Sequence, residues 1–181
     1  MVRVMKIVLT YAATLNAKIT KGDDADVSKW TSIEDKKHFK KLRSQFNLII
    51  RSSKTYEVSK SYDKPRAGRL IVVLTRDPAK YESEKVDGQL EFSNEPVSDL
   101  IKRLGNQGYD KALLAVGGKI SALFLQDKLI NEFRLTLEPK MFGEGVNMIG
   151  EGNFEVEFKL DSMEKLNDKG TLLLTYSVIY N

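Results

Sequence analysis

A pair of glycines, Gly117 and Gly118, separates a short apolar run from a segment with the residue pattern of a helix. Glycine lets a backbone pass close to a ligand, and the first turn of a helix offers unpaired amides and a partial positive charge. A phosphate group suits that combination. The spacing therefore predicts a phosphate site completed by the backbone amides of Lys119, Ile120 and Ser121. A plain tight turn between strand and helix is the alternative interpretation.

Two loops that follow other apolar runs carry hydroxyls and cations. One contains Ser52, Lys54 and Thr55, and the other contains Thr75 and Arg76. Because ligands bind at the carboxyl ends of the strands in an open α/β sheet, we expect these side chains to share a cleft with the glycine pair. Ammonium and guanidinium groups there could neutralise the phosphates of a nucleotide. Solvated surface cations are the alternative.

Asp35 is the candidate catalytic acid. It lies four residues before Phe39, so both side chains project from one face of a predicted helix. A carboxylate there could accept hydrogen bonds from a ligand or relay a proton to it. Compensation of the helix dipole in the first turn explains the same residue without any chemistry.

The same helix carries a basic run that surrounds the single histidine, His38: Lys36, Lys37, Lys40, Lys41 and Arg43. A solvated basic face is the simpler interpretation, and we expect His38 to be exposed. The run has no aromatic platform of the kind on which single-strand binders stack bases. No nucleic-acid partner is therefore expected.

Strands and helices in alternation must position these residues. Largely apolar runs predict buried strands at 4–11, 47–50, 69–74 and 112–116, and a further strand is predicted at 133–137. Thr31 with Glu34 has the form of a capping box, which predicts that a helix starts there. Asn94 and Gly105 are expected to cap the two ends of another helix. Further helices are predicted over 53–58 and from the glycine pair to about Gln126.

The C-terminal part changes character. Apolar and charged residues alternate over 154–161, and the turn 167–170 leads into a second run over 171–179. Strict alternation predicts an antiparallel hairpin with one polar face. The whole order predicts an α/β fold with a mostly parallel, helix-covered sheet and an antiparallel C-terminal edge.

Composition sets the remaining limits. The chain has 181 residues, of which 41% are hydrophobic and 30% charged, and this suits one domain spanning 1–181. The nearest candidate for a domain linker, the segment 59–68, has only the length of a surface loop. The chain contains no cysteine and one histidine, so thiolate or His-rich metal sites are excluded and a cytoplasmic location is expected. No apolar run reaches the roughly 20 residues of a membrane span. The net charge of +4 is mild and is compatible with an anionic small ligand.

In this order the segments resemble the dihydrofolate reductase superfamily. The resemblance is strongest to the reductase domain of riboflavin biosynthesis, the C-terminal domain of a bifunctional deaminase-reductase, and to its uncharacterised relatives. Five segments carry it: TYAATLNAKIT, WTSIEDKKHFKKLRSQFNLII, RSSKTYE, RLIVVLTRDP and VGGKISALFLQDKLINEFRLTLEPKMFGEG. The resemblance implies a three-layer fold that binds NADPH and a heterocyclic substrate, and often a homodimer formed through the sheet edge.

The resemblance further implies an oxidoreductase of the 5-amino-6-(5-phosphoribosylamino)uracil reductase type. It assigns the substrate to Asn16, Lys18, Trp30 and Asp35, although Trp30 could equally pack beside the helix entrance. Dihydrofolate reductase and a non-catalytic ligand-binding relative are the alternatives. The chain departs from the family pattern at four positions: Asn16, Ala17, Ser52 and Val116.

Overall fold

Eight strands and four α-helices alternate along residues 5–180, which the computed structural model describes. The strands are β1 Lys6–Thr14, β2 Leu48–Ser52, β3 Leu70–Leu74, β4 Leu90–Ser93, β5 Lys111–Ala115, β6 Glu132–Glu138, β7 Glu157–Lys165 and β8 Leu172–Ile179. The α-helices are α1 Ile33–Arg43, α2 Ser53–Ser59, α3 Val97–Asn106 and α4 Gly118–Gln126. Two 3₁₀ segments, Val27–Lys29 and Pro78–Glu84, lie in loops. The first predicted strand was expected to start at Val4, which lies outside the described residues.

The strands form one sheet in the order β4-β3-β2-β5-β1-β6-β8-β7. Every pair from β4 to β6 is parallel, and β8 is antiparallel to both β6 and β7. The mostly parallel sheet with an antiparallel C-terminal edge is therefore confirmed. In β1, Ile7 and Leu9 pack in the cluster that includes α3 and α4, while Val8 packs in the cluster that includes Leu42 of α1. Burial of both faces explains the largely apolar runs.

Three predicted helix caps, Thr31, Asn94 and Gly105, were wrong. The N-cap of α1 is Ser32, not Thr31, and its hydroxyl accepts a hydrogen bond from the amide of Asp35. Pro96 rather than Asn94 precedes α3, and the α3 helix continues through Gly105. Gly108, with φ of 96°, is the left-handed residue that ends it. The bonds from the amides of residues 108 and 109 to the carbonyls of 105 and 104 form a Schellman motif.

Two other elements differ from the expectation. The first strand of the C-terminal hairpin runs over Glu157–Lys165, about three residues later than predicted, and a register shift interrupts it between Leu160 and Ser162. Strand β4 was missed because it has only four residues and carries Glu91 in its middle. The 3₁₀ segment Pro78–Glu84 was missed as well.

Within residues 5–180, no helix combines the length and the apolarity needed to cross a bilayer. The same part of the chain places no three acidic or histidine side chains together as a metal-binding group.

Candidate active site

A crevice is expected where strand connections diverge. Strands β2 and β5 are neighbours, with Arg51 opposite Ala115. From β2 the chain proceeds to β3 on one side, whereas from β5 it proceeds to β6 on the other. Open α/β sheets bind ligands at this kind of switch point, beyond the carboxyl ends of the strands. Helices α2 and α4 both begin there, so their first-turn amides lie at the same edge of the sheet.

Gly117 is the member of the glycine pair with open space beside it. It is the N-cap of α4, and a Cβ atom built on it would have no heavy-atom neighbour within 4 Å. The amides of Ile120 and Ser121 already donate to the Gly117 carbonyl, at 3.0 and 3.2 Å. The first-turn amides left for a ligand are therefore those of Gly118 and Lys119.

Gly118 serves the packing of the chain against itself. A Cβ atom at Gly118 would lie 2.6 Å from the carbonyl oxygen of Asn147, and the Gly150 amide donates to the Gly118 carbonyl at 2.9 Å. The segment 147–150 thus fills the space that was expected to admit a ligand. The prediction of close ligand approach consequently depends on Gly117.

Ser121 is fully buried, and its hydroxyl shares a 2.6 Å hydrogen bond with the phenol of Tyr11. Burial raises the pKa of Tyr11, and the bond to Ser121 opposes that rise. The Ser121 hydroxyl also approaches the carbonyls of Gly117 and Gly118 at 3.2 Å. These contacts fasten α4 to β1 and leave the Ser121 side chain no access to a cofactor.

The start of α2 brings the second predicted loop to the crevice. Ser52 is its N-cap: the Ser52 hydroxyl accepts from the Thr55 amide at 3.2 Å and shares a 2.9 Å bond with the Thr55 hydroxyl. The exposed Lys54 faces a cleft of about 490 Å³, whose lining includes Asp23, Asp24, Ser53, Lys54, Lys80 and Tyr81. Lys80 lies in the unpredicted 3₁₀ segment and adds a second cation to this cleft, and Glu57 adds a third carboxylate. Neither glycine of the pair lines this cleft, so the expectation that Lys54 and the glycine pair share one cleft is not met there.

Thr75 and Arg76 follow β3, as predicted, but neither lines that cleft. The Thr75 amide donates to the Ser93 carbonyl at 3.0 Å, and its hydroxyl accepts from the Asp77 amide at 3.3 Å. Arg76 is exposed on this loop. A nucleotide contact by either residue stays a prediction.

Asp35 lies in a buried polar cluster between α1 and β6. Only 7% of it is exposed, and its carboxylate accepts hydrogen bonds from the hydroxyls of Thr136 and Thr31. Burial raises the pKa of Asp35, the two hydroxyls oppose the rise, and the charge of Glu138 adds to it. Asp35 therefore retains a proton to a higher pH than an exposed aspartate, which is the property a general acid requires.

Glu138 is a second buried carboxylate that the sequence analysis missed. It is 1% exposed, accepts from the Ser32 amide at 2.6 Å and accepts from the Thr171 hydroxyl at 2.9 Å. The signal in the sequence was an acid directly after the predicted strand 133–137 and directly before Pro139. Charged residues are seldom fully buried without partners, so that position could have been singled out.

Two ring nitrogens beside this cluster are buried without a hydrogen-bond partner among the described residues, His38 Nε2 and Trp30 Nε1. His38 is half-buried rather than exposed as expected, and burial lowers its pKa. Trp30 is buried with its ring edge-on to Phe142 at 5.3 Å, while its carbonyl accepts a hydrogen bond from Lys140. These contacts favour the packing interpretation of Trp30, and its indole N–H is left as a free donor.

Phe39 is partly buried in the core, where it packs with Leu42 of the same helix. The guanidinium of Arg43 lies 6.0 Å from the centre of its ring. The aromatic ring is thus a core contact on α1, and the predicted ligand contact by this face of the helix depends on Asp35 alone.

The RibD C-terminal domain family matches residues 5–172. The chain belongs to this family. It is 24% identical to the uncharacterized protein YyaP of Bacillus subtilis over 148 residues, and this aligned stretch covers 77% of this chain and 78% of YyaP. A putative riboflavin biosynthesis protein from Shewanella has the same fold, with a TM-score of 0.72 at 19% identity over 97% of this chain and all of that one. A pyrimidine reductase-like protein from Corynebacterium diphtheriae also has this fold, with a TM-score of 0.78 at 13% identity over 98% of this chain and 93% of that one.

In this member of the RibD C-terminal domain family, the loop after β1 is tied to a distant segment. The Asn16 side chain accepts from the Thr14 hydroxyl at 2.7 Å and donates to the Phe142 carbonyl at 2.8 Å. The Lys18 ammonium donates to the Asn147 side-chain oxygen at 2.7 Å. Asn16 and Lys18 therefore hold the loop in place, and a substrate contact by either would replace one of these bonds.

Proposed function

We propose that this protein is an NADPH-dependent reductase of a phosphorylated ribosylamino-pyrimidine, or of a related heterocycle. The observation that carries the proposal is the match of a riboflavin-biosynthesis reductase family to residues 5–172. The crevice supports it, because two helix N-termini and a buried acid with a raised pKa lie at the carboxyl edge of one sheet.

The residues at the switch point suit a dinucleotide. Gly117 leaves open space where a side chain would otherwise stand, and the first-turn amides of Gly118 and Lys119 can donate to a diphosphate. Lys54 and Lys80 are the two cations of a neighbouring cleft, which also carries the carboxylates of Asp23, Asp24 and Glu57, and the exposed Arg76 follows the next strand. A cation near the adenosine ribose would favour the extra phosphate of NADPH over NADH. Bound NADPH supplies the hydride.

The protein's chemical contribution in this proposal is a proton. Burial raises the pKa of Asp35, so a fraction of this carboxyl keeps its proton at a pH where an exposed aspartate has lost it. Thr136, which is 2% exposed, donates to the carboxyl and fixes its orientation. In that position Asp35 can donate a hydrogen bond or a proton to a ring or imine nitrogen of the substrate. The indole N–H of Trp30 is a further donor without a protein partner.

The first test is thermal unfolding with and without cofactor. We expect about 1 mM NADPH to raise the melting temperature by several degrees, and NADH to raise it less. Arg76→Gln should reduce the NADPH shift while leaving the NADH shift largely intact, and Lys54→Gln should reduce both shifts. Lys36→Gln, which removes an exposed cation on α1, is the matched control and should change neither.

Turnover is then measured as NADPH oxidation with 5-amino-6-(5-phosphoribosylamino)uracil, with dihydrofolate as the comparison substrate. Oxidation with the first compound and none with the second is expected. A melting temperature that NADPH leaves unchanged would contradict cofactor binding and favour a non-catalytic relative. Turnover of dihydrofolate would instead identify the other reductase.

A further inference from the structure

A chain of hydrogen bonds connects the turn of the C-terminal hairpin to the start of α1, and it passes through Glu138. Ser32 joins Glu138 to Asp35: the Ser32 amide donates to Glu138 Oε1 at 2.6 Å, and the Ser32 hydroxyl accepts from the Asp35 amide at 3.2 Å. Both carboxyl groups are buried. Within the described part of the chain, no cationic side chain forms an ion pair with either of them. Two buried negative charges without a counter-ion are costly, so the two carboxyl groups together favour the binding of one proton.

Backbone amides, which can only donate, set the direction of the bonds in the hairpin turn. The amides of Lys169 and Thr171 donate to Asn167 Oδ1 at 3.1 and 3.2 Å, and this fixes the orientation of the Asn167 side chain. Asn167 Nδ2 therefore donates to the Thr171 hydroxyl and to the Glu34 carboxylate, each at 3.0 Å. Thr171 is 1% exposed, and the acceptor for its own hydrogen is Glu138 Oε2, at 2.9 Å.

The two carboxyl groups consequently have different kinds of partner. Both oxygens of Glu138 receive hydrogen bonds whose direction is fixed, one of them from an amide at the positive end of the α1 dipole, and this favours the ionised form. The partners of Asp35 are the hydroxyls of Thr136 and Thr31. A hydroxyl can rotate and accept a hydrogen bond instead of donating one. Asp35 can therefore hold a proton without leaving these partners unsatisfied.

The charges around Asp35 act in both directions. Burial raises the pKa of Asp35, the two hydroxyls oppose the rise, the charge of Glu138 adds to it, and His38 on α1 lowers it. Three further charged side chains act on His38 and reach Asp35 only through it: Arg134 of β6, Glu164 of β7 and Lys41 of α1. Removal of the Glu138 charge should therefore lower the pH at which Asp35 ionises, in either form of His38.

Building on the proposed function, we propose that Asp35 and Glu138 form a carboxylate pair in which Glu138 carries the negative charge and Asp35 the proton. Asn167 and Thr171 make this assignment, because they direct a donor at Glu138. All three are positioning residues, since they act on the substrate only through Asp35. When the Asp35 O–H bond breaks, its proton forms an N–H bond on the substrate and a carboxylate remains. The charge of Glu138 then favours the uptake of the next proton from water.

The test follows the ionisation of Asp35 by carbon NMR, in protein with labelled aspartate carboxyl groups, and Asp35→Asn identifies the signal. Thr171→Val removes a donor from Glu138 and makes its charge less favourable, so the midpoint of the Asp35 titration should move to lower pH. Thr171→Ser keeps a hydroxyl and should retain the original midpoint. Thr175→Val makes the same change on β8, outside the chain of hydrogen bonds, and is the matched control that should not move it.

An Asp35 midpoint that Thr171→Val leaves in place, or moves to higher pH, overturns the proposal. If Thr171→Val does not fold, Glu138→Gln carries the test, with a shift to lower pH again expected. The titration needs neither cofactor nor turnover. It therefore decides whether the pair exists even if the protein proves not to be a reductase.

Activity gives a second measurement where NADPH oxidation is found. In Thr171→Val, kcat above neutral pH should fall about three- to tenfold with KM nearly unchanged, because less Asp35 is protonated there. The loss should shrink as the pH is lowered, and the rise in melting temperature with NADPH should persist. A loss of kcat that is equal at every pH would indicate a general structural defect and would count against the pair.

Discussion

Gly118 and Gly150 approach each other so closely that neither position has room for a side chain. The Gly150 amide donates to the Gly118 carbonyl at 2.9 Å, and a Cβ atom on Gly150 would lie 3.0 Å from that same oxygen. On Gly118 a Cβ atom would meet the Asn147 carbonyl at 2.6 Å. The two neighbouring glycines of the pair therefore have different roles, since Gly117 has open space beside it.

Alanine substitution separates these roles. Gly118→Ala should lower the free energy of unfolding by about 2–3 kcal/mol, because the backbone at Asn147 must shift to admit a methyl group. Gly117→Ala, at an N-cap with φ of −80°, should cost no more than about 1 kcal/mol but should weaken NADPH binding. Urea unfolding and NADPH titration of both variants give the comparison. Equal stability of the two variants would contradict this division.

The buried strands could be predicted from the sequence because apolar runs record burial on both faces directly. The contacts between 14–22 and 140–150 could not, because backbone hydrogen bonds such as Ile19 to Val146, at 2.9 Å, leave no periodic signal. These contacts fill the space beside Gly118, so the sequence alone suggested two glycines of equal function. Glu138 was overlooked for a related reason, since its partners Ser32 and Thr171 are distant along the chain.

Asp35→Asn should change the dependence of stability on pH. The folded-state pKa of Asp35 is raised by burial, so its contribution to stability is full below the unfolded pKa of about 3.8 and is lost as pH rises through the folded value. An asparagine can keep a hydrogen bond with Thr136 and carries no charge. We expect the variant to be more stable than the original chain at pH 7, by roughly 1 kcal/mol, with the difference vanishing near pH 4.

Melting temperatures from pH 4 to 8 check this expectation. Glu138→Gln provides the comparison, because removal of the neighbouring charge should lower the pKa of Asp35 and shrink the benefit of Asp35→Asn in the double variant. His38 must be considered in the same range. Burial lowers its pKa, so its contribution to stability is lost as pH falls below about 6.5, and loss of the Asp35 charge in Asp35→Asn lowers the His38 pKa further. A difference in melting temperature between the two chains that does not vary with pH would contradict the raised pKa of Asp35.

Asp63→Asn should be among the most destabilising single substitutions in this chain. Burial alone would raise the pKa of Asp63, but the nearby arginines outweigh it and hold that pKa below its usual value. Removal of the charge leaves Arg51 and Arg69 buried without a counter-ion, and we expect a loss of about 3–5 kcal/mol. Asp161→Asn on the exposed strand β7 is the control and should be nearly neutral. Denaturant unfolding of both variants measures the difference.

Ala17 holds a backbone conformation that glycine adopts more easily. Its φ is 60°, and its carbonyl accepts from the Met148 amide at 2.9 Å, so the contact with the distant segment depends on this conformation. Ala17→Gly should raise the free energy of unfolding by about 0.5–1 kcal/mol, because the steric penalty in the left-handed region disappears. Ala79→Gly, within the 3₁₀ segment, should lower it by a similar amount. Destabilisation by Ala17→Gly would show that Ala17 pays no steric penalty for its left-handed conformation.

Strand β7 offers a surface for a second copy of the chain. All nine of its residues are exposed, and Phe158, Leu160 and Met163 present 42%, 49% and 65% of their surface at the open edge of the sheet. An unpaired edge with exposed apolar side chains favours pairing with another strand. We expect a homodimer that the double variant Leu160→Lys and Met163→Lys converts to monomer, while Lys159→Gln leaves it intact. Light scattering after gel filtration measures the mass, and a monomeric original chain would exclude this interface.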